Sequence, residues 1–211
     1  MRQSTLAVRS AFGVELRNQC AVFDPPPPIG VVLFPGDSYR CDAPLLYHAR
    51  QVCLQRGADV LSLEYGHQVA RTALAGGTDH VIEESASAVT QYIRSGHRRL
   101  IFISKSLGTW VSAQVAARCP LPVSHVFLTP VPRVVPIMRQ SGGLVIVGTA
   151  DPVFDRAHID EITDCSGLDV RVVADADHGL TVPKDYRRSV EILGMVCRAC
   201  DEFLERAAAG D

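Results

Sequence analysis

Three residues of this chain stand where their side chains could do chemistry together. Ser106 falls in "ISKSLGTWVSA" (103–113), at the joint between an apolar run and a helical pattern. Asp151 follows the apolar run of "LVIVGTADPVF", and His178 follows that of "VRVVADADHGL". A hydroxyl, an imidazole and a carboxylate brought into line make a nucleophile, its general base and an orienting acid, the set that carries acyl transfer through a covalent intermediate. Taken singly, each has a plainer role. A serine at such a joint caps the following helix, an aspartate before proline starts a turn, and a lone histidine packs. Their shared place, just beyond an apolar run, sets them apart.

Those runs are the elements that must position them. From residue 29 onward, short apolar stretches alternate with amphipathic patterns, which predicts a parallel sheet covered by helices. The expected strands are "IGVVLF" (29–34), "ADVLSL" (58–63), "LIFIS" (100–104), "VSHVFL" (123–128), "LVIVG" (144–148) and "DVRVVA" (169–174). Helices are expected over 43–56, over 81–95, after Ser106 with Leu107, Trp110, Val111 and Val115 on one side, and from Pro183 to about Arg206. One further helix is expected between Asp151 and His178. The first 24 residues alternate more weakly and suggest an antiparallel hairpin at the sheet edge. The stretch "DPPPP" (24–28) ends it as a stiff connector. No linker divides the chain, so one domain over 1–211 is expected. In such sheets ligands bind beyond the carboxyl ends of the strands, where all three residues lie.

Ser104 and Gly108, two before and two after Ser106, are small enough to let a strand turn straight into a helix with the hydroxyl raised on the bend. At this point the sequence resembles the α/β-hydrolase family, whose nucleophile elbow usually reads G-x-S-x-G; here it is S-x-S-x-G. The order Ser106, Asp151, His178 matches the family order. The resemblance spans about 29–206 and looks closest to small lidless hydrolases of the dienelactone-hydrolase-like and carboxylesterase kind. A serine where the dienelactone enzymes have cysteine argues against that particular reaction. The implied fold is a three-layer α/β-hydrolase, with a mostly parallel twisted sheet flanked by helices and no lid domain. Only residues 128–143 lie where many relatives carry a lid, so the site should be open. By position, Pro35-Gly36-Asp37-Ser38-Tyr39 replaces the family's His-Gly-x loop. The resemblance thus implies the backbone N–H groups of Asp37 and Leu107 as oxyanion donors, with the Asp37 carboxylate turned away. Residues expected to line the substrate are Ser38 and Tyr39 from this loop, Tyr65 and His67 after "LSLEYG", and Thr129, Val131 and Val153 near the acid strand.

Other carboxylates compete for the acid's place. Asp175 and Asp177 adjoin His178, but adjacency along the chain does not put a carboxylate behind the imidazole. Asp155 suits the cap of "RAHIDEI". The strand ending "FLTPVPRVVP" offers none, which leaves Asp151.

Composition narrows the remaining classes. A net charge of −2 with 21 scattered Lys and Arg gives no polyanion surface, so no nucleic-acid partner is expected. The seven histidines show no paired ligand spacing, and neither G-x-x-x-x-G-K-[ST] nor a helix-opening G-x-G-x-x-G occurs, so no metal or other cofactor is expected. Seven irregularly spaced cysteines do not make a disulfide framework, and Cys197-x-x-Cys200 falls on the apolar face of a helix with Leu193, Val196 and Leu204. The N-terminal "MRQSTLAVRSAFG" lacks a signal-like apolar region, and no run reaches the ~18 apolar residues of a membrane span. A cytoplasmic protein without a membrane partner is expected. The resulting expectation is a serine hydrolase of a small-molecule carboxylic ester or thioester. A non-catalytic α/β-hydrolase-fold binding or scaffold protein is the alternative. The acyl and leaving groups, hydrolase against acyltransferase, and the oligomeric state stay open.

Overall fold

The six apolar runs become six parallel strands of one eight-stranded sheet. In the computed structural model, which describes residues 1–209, the strands are β1 (Arg2–Arg9), β2 (Glu15–Val22), β3 (Ile29–Phe34), β4 (Asp59–Ser62), β5 (Arg99–Ser106), β6 (Val123–Pro130), β7 (Gly143–Gly148) and β8 (Leu168–Val173). Gly210 and Asp211, the end of the expected domain, lie outside the described residues. The sheet order is β1-β2-β4-β3-β5-β6-β7-β8. Strands β3 to β8 run parallel, and the β1–β2 hairpin joins antiparallel through β4 at one edge.

The helices are α1 (Pro44–Gln55), α2 (Gly66–Ala70), α3 (Thr78–Tyr92), α4 (Leu107–Ala116), α5 (Val135–Ser141), α6 (Arg156–Thr163) and α7 (Tyr186–Ala209). Strand β3 shows why both sheet faces must be covered. Val31 and Leu33 pack toward Leu46 and Cys53 of α1 and Val196 and Cys200 of α7, while Val32 and Phe34 pack toward Val81 and Val89 of α3 and Val111 of α4. A strand buried on both faces reads as a continuous apolar run. Phe127, Val145 and Val147 form a third cluster with Met138 of α5 and Ile159 and Ile162 of α6.

Two expected helices shift, and two short ones were not expected. The last helix opens at Tyr186 rather than near Pro183, because Asp185 takes the capping role: its Oδ1 accepts the Arg188 N–H at 3.0 Å. The helix expected at 81–95 occupies 78–92, with Gly77 before it. Helices α2 and α5 have 5 and 7 residues, too few to show a period in the sequence. All seven cysteines are free. Burial pushes the Cys200 thiol up to about 12 and the Cys53 thiol well above its ordinary value, so neither presents a thiolate. Among the described residues no helix is long and apolar enough to cross a membrane.

Candidate active site

The turn from β5 into α4 places Ser106 on a sharp bend. Its backbone sits at φ 51 and ψ −120, a conformation that L residues adopt at a cost of about 1–3 kcal/mol and that persists only where the surroundings enforce it. Two neighbours enforce it. A Cβ on Gly108 would collide with Pro35 O and lie 2.6 Å from Phe34 O, so α4 starts close against the end of β3. Ser104, where the family motif has glycine, is wholly buried, and its hydroxyl donates to Val126 O at 3.3 Å. The bend therefore closes with serine there. We expect Gly108→Ala to lower stability by about 1–3 kcal/mol, because the opposing atoms are backbone and cannot rotate aside. Thermal unfolding measures this, and an unchanged midpoint would show that the elbow relaxes freely.

Ser106 makes no side-chain cap bond to α4. Its Oγ lies 2.8 Å from His178 Nε2, and His178 Nδ1 lies 2.7 Å from Asp151 Oδ2. Because an ionised carboxylate only accepts, Nδ1 carries the imidazole proton and Nε2 is left to accept from the serine hydroxyl. Asp151 follows β7, and its Oδ1 accepts the N–H groups of Val153 at 2.7 Å and Phe154 at 3.2 Å. Burial pushes the Asp151 carboxyl up, but the bonds from His178, Val153 and Phe154 outweigh it and hold the group below its ordinary value. His178 follows β8 in a turn shaped by Asp177, whose Oδ1 accepts from Gly179 N at 2.8 Å and Thr181 N at 3.0 Å. Asp177 is thus folded into its own turn and Asp155 caps α6. The loops of β7 and β8 meet so closely that a Cβ on Gly148 would collide with Ala176 O.

The loop after β3 borders the same bend: a Cβ on Gly36 would lie 3.4 Å from Ser106 Cβ. The N–H of Asp37 makes no hydrogen bond among the described residues, and the Leu107 N–H opens α4, where no earlier turn supplies an acceptor. The Asp37 carboxylate turns toward His67, whose Nε2 lies 3.1 Å from Asp37 Oδ1 and 3.0 Å from Asp37 O. Gln68 donates to Gly36 O at 2.7 Å and Asp37 O at 2.9 Å. Helix α2, unmarked in the sequence, holds this loop from behind.

The expected lining residues divide. Ser38 is exposed, and with Asp37, His67, Arg71 and Leu74 it borders a recess of about 350 Å³. Tyr39 is half-buried and accepts the Leu45 N–H on its hydroxyl at 2.8 Å, which ties it to the start of α1. Tyr65 and Thr129 do not line the site. Tyr65 is 1% exposed and packs in the core under the hairpin, while Thr129 is fully buried with its hydroxyl taken by Lys105 at 3.0 Å. Position after a strand does not tell whether a side chain turns outward. Between β6 and β7 stand only a short 3₁₀ turn and α5, so among the described residues no lid domain covers Ser106. Among the described residues, no group of His, Cys, Asp and Glu could hold a metal ion.

No family model and no curated protein matches the sequence. Solved structures match it over nearly its whole length. A protein of unknown function from Agrobacterium tumefaciens, itself a candidate α/β hydrolase, superposes with a TM-score of 0.75 at 17% identity over 98% of this chain and 97% of that one. The Pyrococcus furiosus esterase Pf2001 gives 0.72 at 12% identity over 97% and 92%. Dienelactone hydrolase from Anabaena variabilis gives 0.66 at 17% identity over 98% and 99%. The chain has the α/β-hydrolase fold.

Proposed function

We propose that this chain is a serine hydrolase that cleaves a carboxylic ester or thioester of a small molecule in the cytoplasm. The observation that carries the reading is the unbroken run from Ser106 Oγ to His178 Nε2 at 2.8 Å and from His178 Nδ1 to Asp151 Oδ2 at 2.7 Å. The strained bend under Ser106 and the Asp37 and Leu107 N–H groups, which find no acceptor among the described residues, support it, as does the likeness to proteins named as an esterase and a dienelactone hydrolase.

In this reading His178 takes the serine proton as Ser106 Oγ attacks the substrate carbonyl carbon. Asp151 keeps the imidazole in the tautomer that can accept, and stabilises it once it is charged. The oxyanion of the tetrahedral intermediate is received by the Asp37 and Leu107 N–H groups, each such donor being worth roughly 3 kcal/mol. His178 returns the proton to the departing alcohol or thiol, which leaves an acyl-Ser106. Water then attacks that ester with His178 as base, and the serine is released.

Treatment of the folded protein with a fluorophosphonate probe should add one phosphonyl group, mapped to Ser106 by peptide mass. A panel of short-chain esters and thioesters then reads the acyl preference. Failure of folded protein to label would overturn this reading and favour the binding or scaffold role.

A further inference from the structure

We propose that Lys105 is the positioning residue of this site: its side chain clamps the His178 loop, the bend of β6 and the loop after β3 to the end of β5. The inference rests on the hydrolase reading above for its functional consequence. Lys105 is 3% exposed, and its Nζ donates to His178 O at 2.9 Å and to Thr129 Oγ1 at 3.0 Å. The ammonium also lies 5.0 Å from the centre of the Tyr39 ring, within range of a cation–π attraction.

Each of these partners has its own fixed place. Thr129 is the residue skipped where the β5–β6 register shifts, Lys105 facing Leu128 and Ser106 facing Pro130, and it sits at φ 42. Tyr39 is held to α1 through the Leu45 N–H. His178 O belongs to the same residue as the imidazole, so fixing it fixes the point from which the ring reaches Ser106. Lys105 acts through His178 and meets no reacting atom.

A buried ammonium requires partners for its desolvation to be offset. Among the described residues no carboxylate lies within ion-pair distance of Nζ, so the charge rests on a carbonyl, a hydroxyl and a ring face. The residue choice agrees: Lys105 and Lys184 are the chain's two lysines, the other basic residues of its 21 Lys and Arg being arginine. An ammonium is a compact donor that fits where a planar guanidinium would not.

The titratable groups around it are Tyr39 from the loop after β3, Asp151 from the loop after β7, and Asp177 and His178 from the loop after β8. Burial pulls the Lys105 pKa down to about 8, against the opposing pull of Asp151 and Asp177. Below that value all three donors are present. Above it the amine keeps two N–H donors, enough for His178 O and Thr129 Oγ1, but loses the charge that strengthens both bonds and draws Nζ to the Tyr39 ring, and the clamp loosens.

The test is the second-order rate of fluorophosphonate labelling at Ser106 across pH 6 to 10, for wild type, Lys105→Met and Lys105→Gln. Lys105→Met keeps the stem and removes the donors. We expect it to label about 10- to 100-fold more slowly near pH 7, as for a misplacement of about 1 Å. We also expect the wild-type rate to fall several-fold through a step near pH 8 that the variant lacks. A variant that labels at the wild-type rate, or keeps the same step, overturns the proposal. If neither variant folds, Thr129→Val, which removes one of the acceptors of Nζ, is labelled instead: a several-fold slower rate supports the clamp, and the wild-type rate overturns it. If wild type does not label, the hydrolase reading has failed, and crystal structures of wild type and Lys105→Gln judge the clamp. Displacement of the His178 ring by about 1 Å or more supports it, and an unmoved ring overturns it.

Discussion

Ser106→Ala is expected to lower ester turnover by about 10⁶-fold while leaving thermal stability within about 0.5 kcal/mol of wild type. The two halves of this result have separate physical origins. The hydroxyl is the group that would bond to the acyl carbon, and nothing else on the bend can replace it. A residual rate of about 10³-fold over water should remain, because the Asp37 and Leu107 N–H groups and the rest of the site are untouched. Stability should hold because the Ser106 side chain caps no helix and alanine keeps its Cβ. Its one hydrogen bond in the described residues goes to His178. Alanine can also take the φ of 51, at the strain the serine already bears. A serine serving as a helix cap would give the reverse pattern, with about 1 kcal/mol lost and turnover unaffected. Turnover of a short-chain ester and the unfolding midpoint, measured on one preparation, separate the two.

Much of the architecture was legible because its physics is local. A strand buried on both faces must be an unbroken apolar run, and the runs at 29–34, 144–148 and 169–174 return as β3, β7 and β8 to within one residue at either end. The places of Asp151 and His178 followed from the last two of those runs, each being a residue met just past a strand end, and that of Ser106 from "LIFIS", whose strand β5 runs on to Ser106 itself. What stayed hidden depends on side-chain direction. Tyr65 follows β4 and Thr129 lies at the end of β6, which runs two residues past the expected 123–128, but one turns into the core and the other under the bend. Lys105 left one trace, a lysine inside "LIFISKS", which no solvated strand face accounts for. Helix α2 left none, since five residues carry no period, yet through His67 and Gln68 it holds the loop that presents Asp37.

Asp151→Asn is expected to cut turnover by about 10⁴-fold with the fold retained, and the contacts of Asp151 say why. Its two oxygens have different duties: Oδ1 accepts the Val153 and Phe154 N–H groups, and Oδ2 accepts the His178 Nδ1 proton. An asparagine must keep its oxygen on the two backbone donors, which would otherwise be buried without an acceptor. Its NH₂ then faces His178 Nδ1 and donates, which drives the imidazole proton onto Nε2. An Nε2–H cannot accept from Ser106, so the base is lost although every atom stays near its place. The low-field Nδ1 proton resonance expected of the wild-type pair should be missing from the variant. Stability supplies a second readout with a definite sign. The Asp151 carboxyl is held below its unfolded value of about 3.9, so in wild type its contribution is full above that pH and fades as pH falls through the lower, folded value. The carboxamide of the Asp151→Asn variant has no proton to take up, so between neutral pH and pH ~3 the variant should lose less stability than wild type. Thermal melts at the two pH values measure the difference, and equal losses would show that Asp151 is not ionised behind His178.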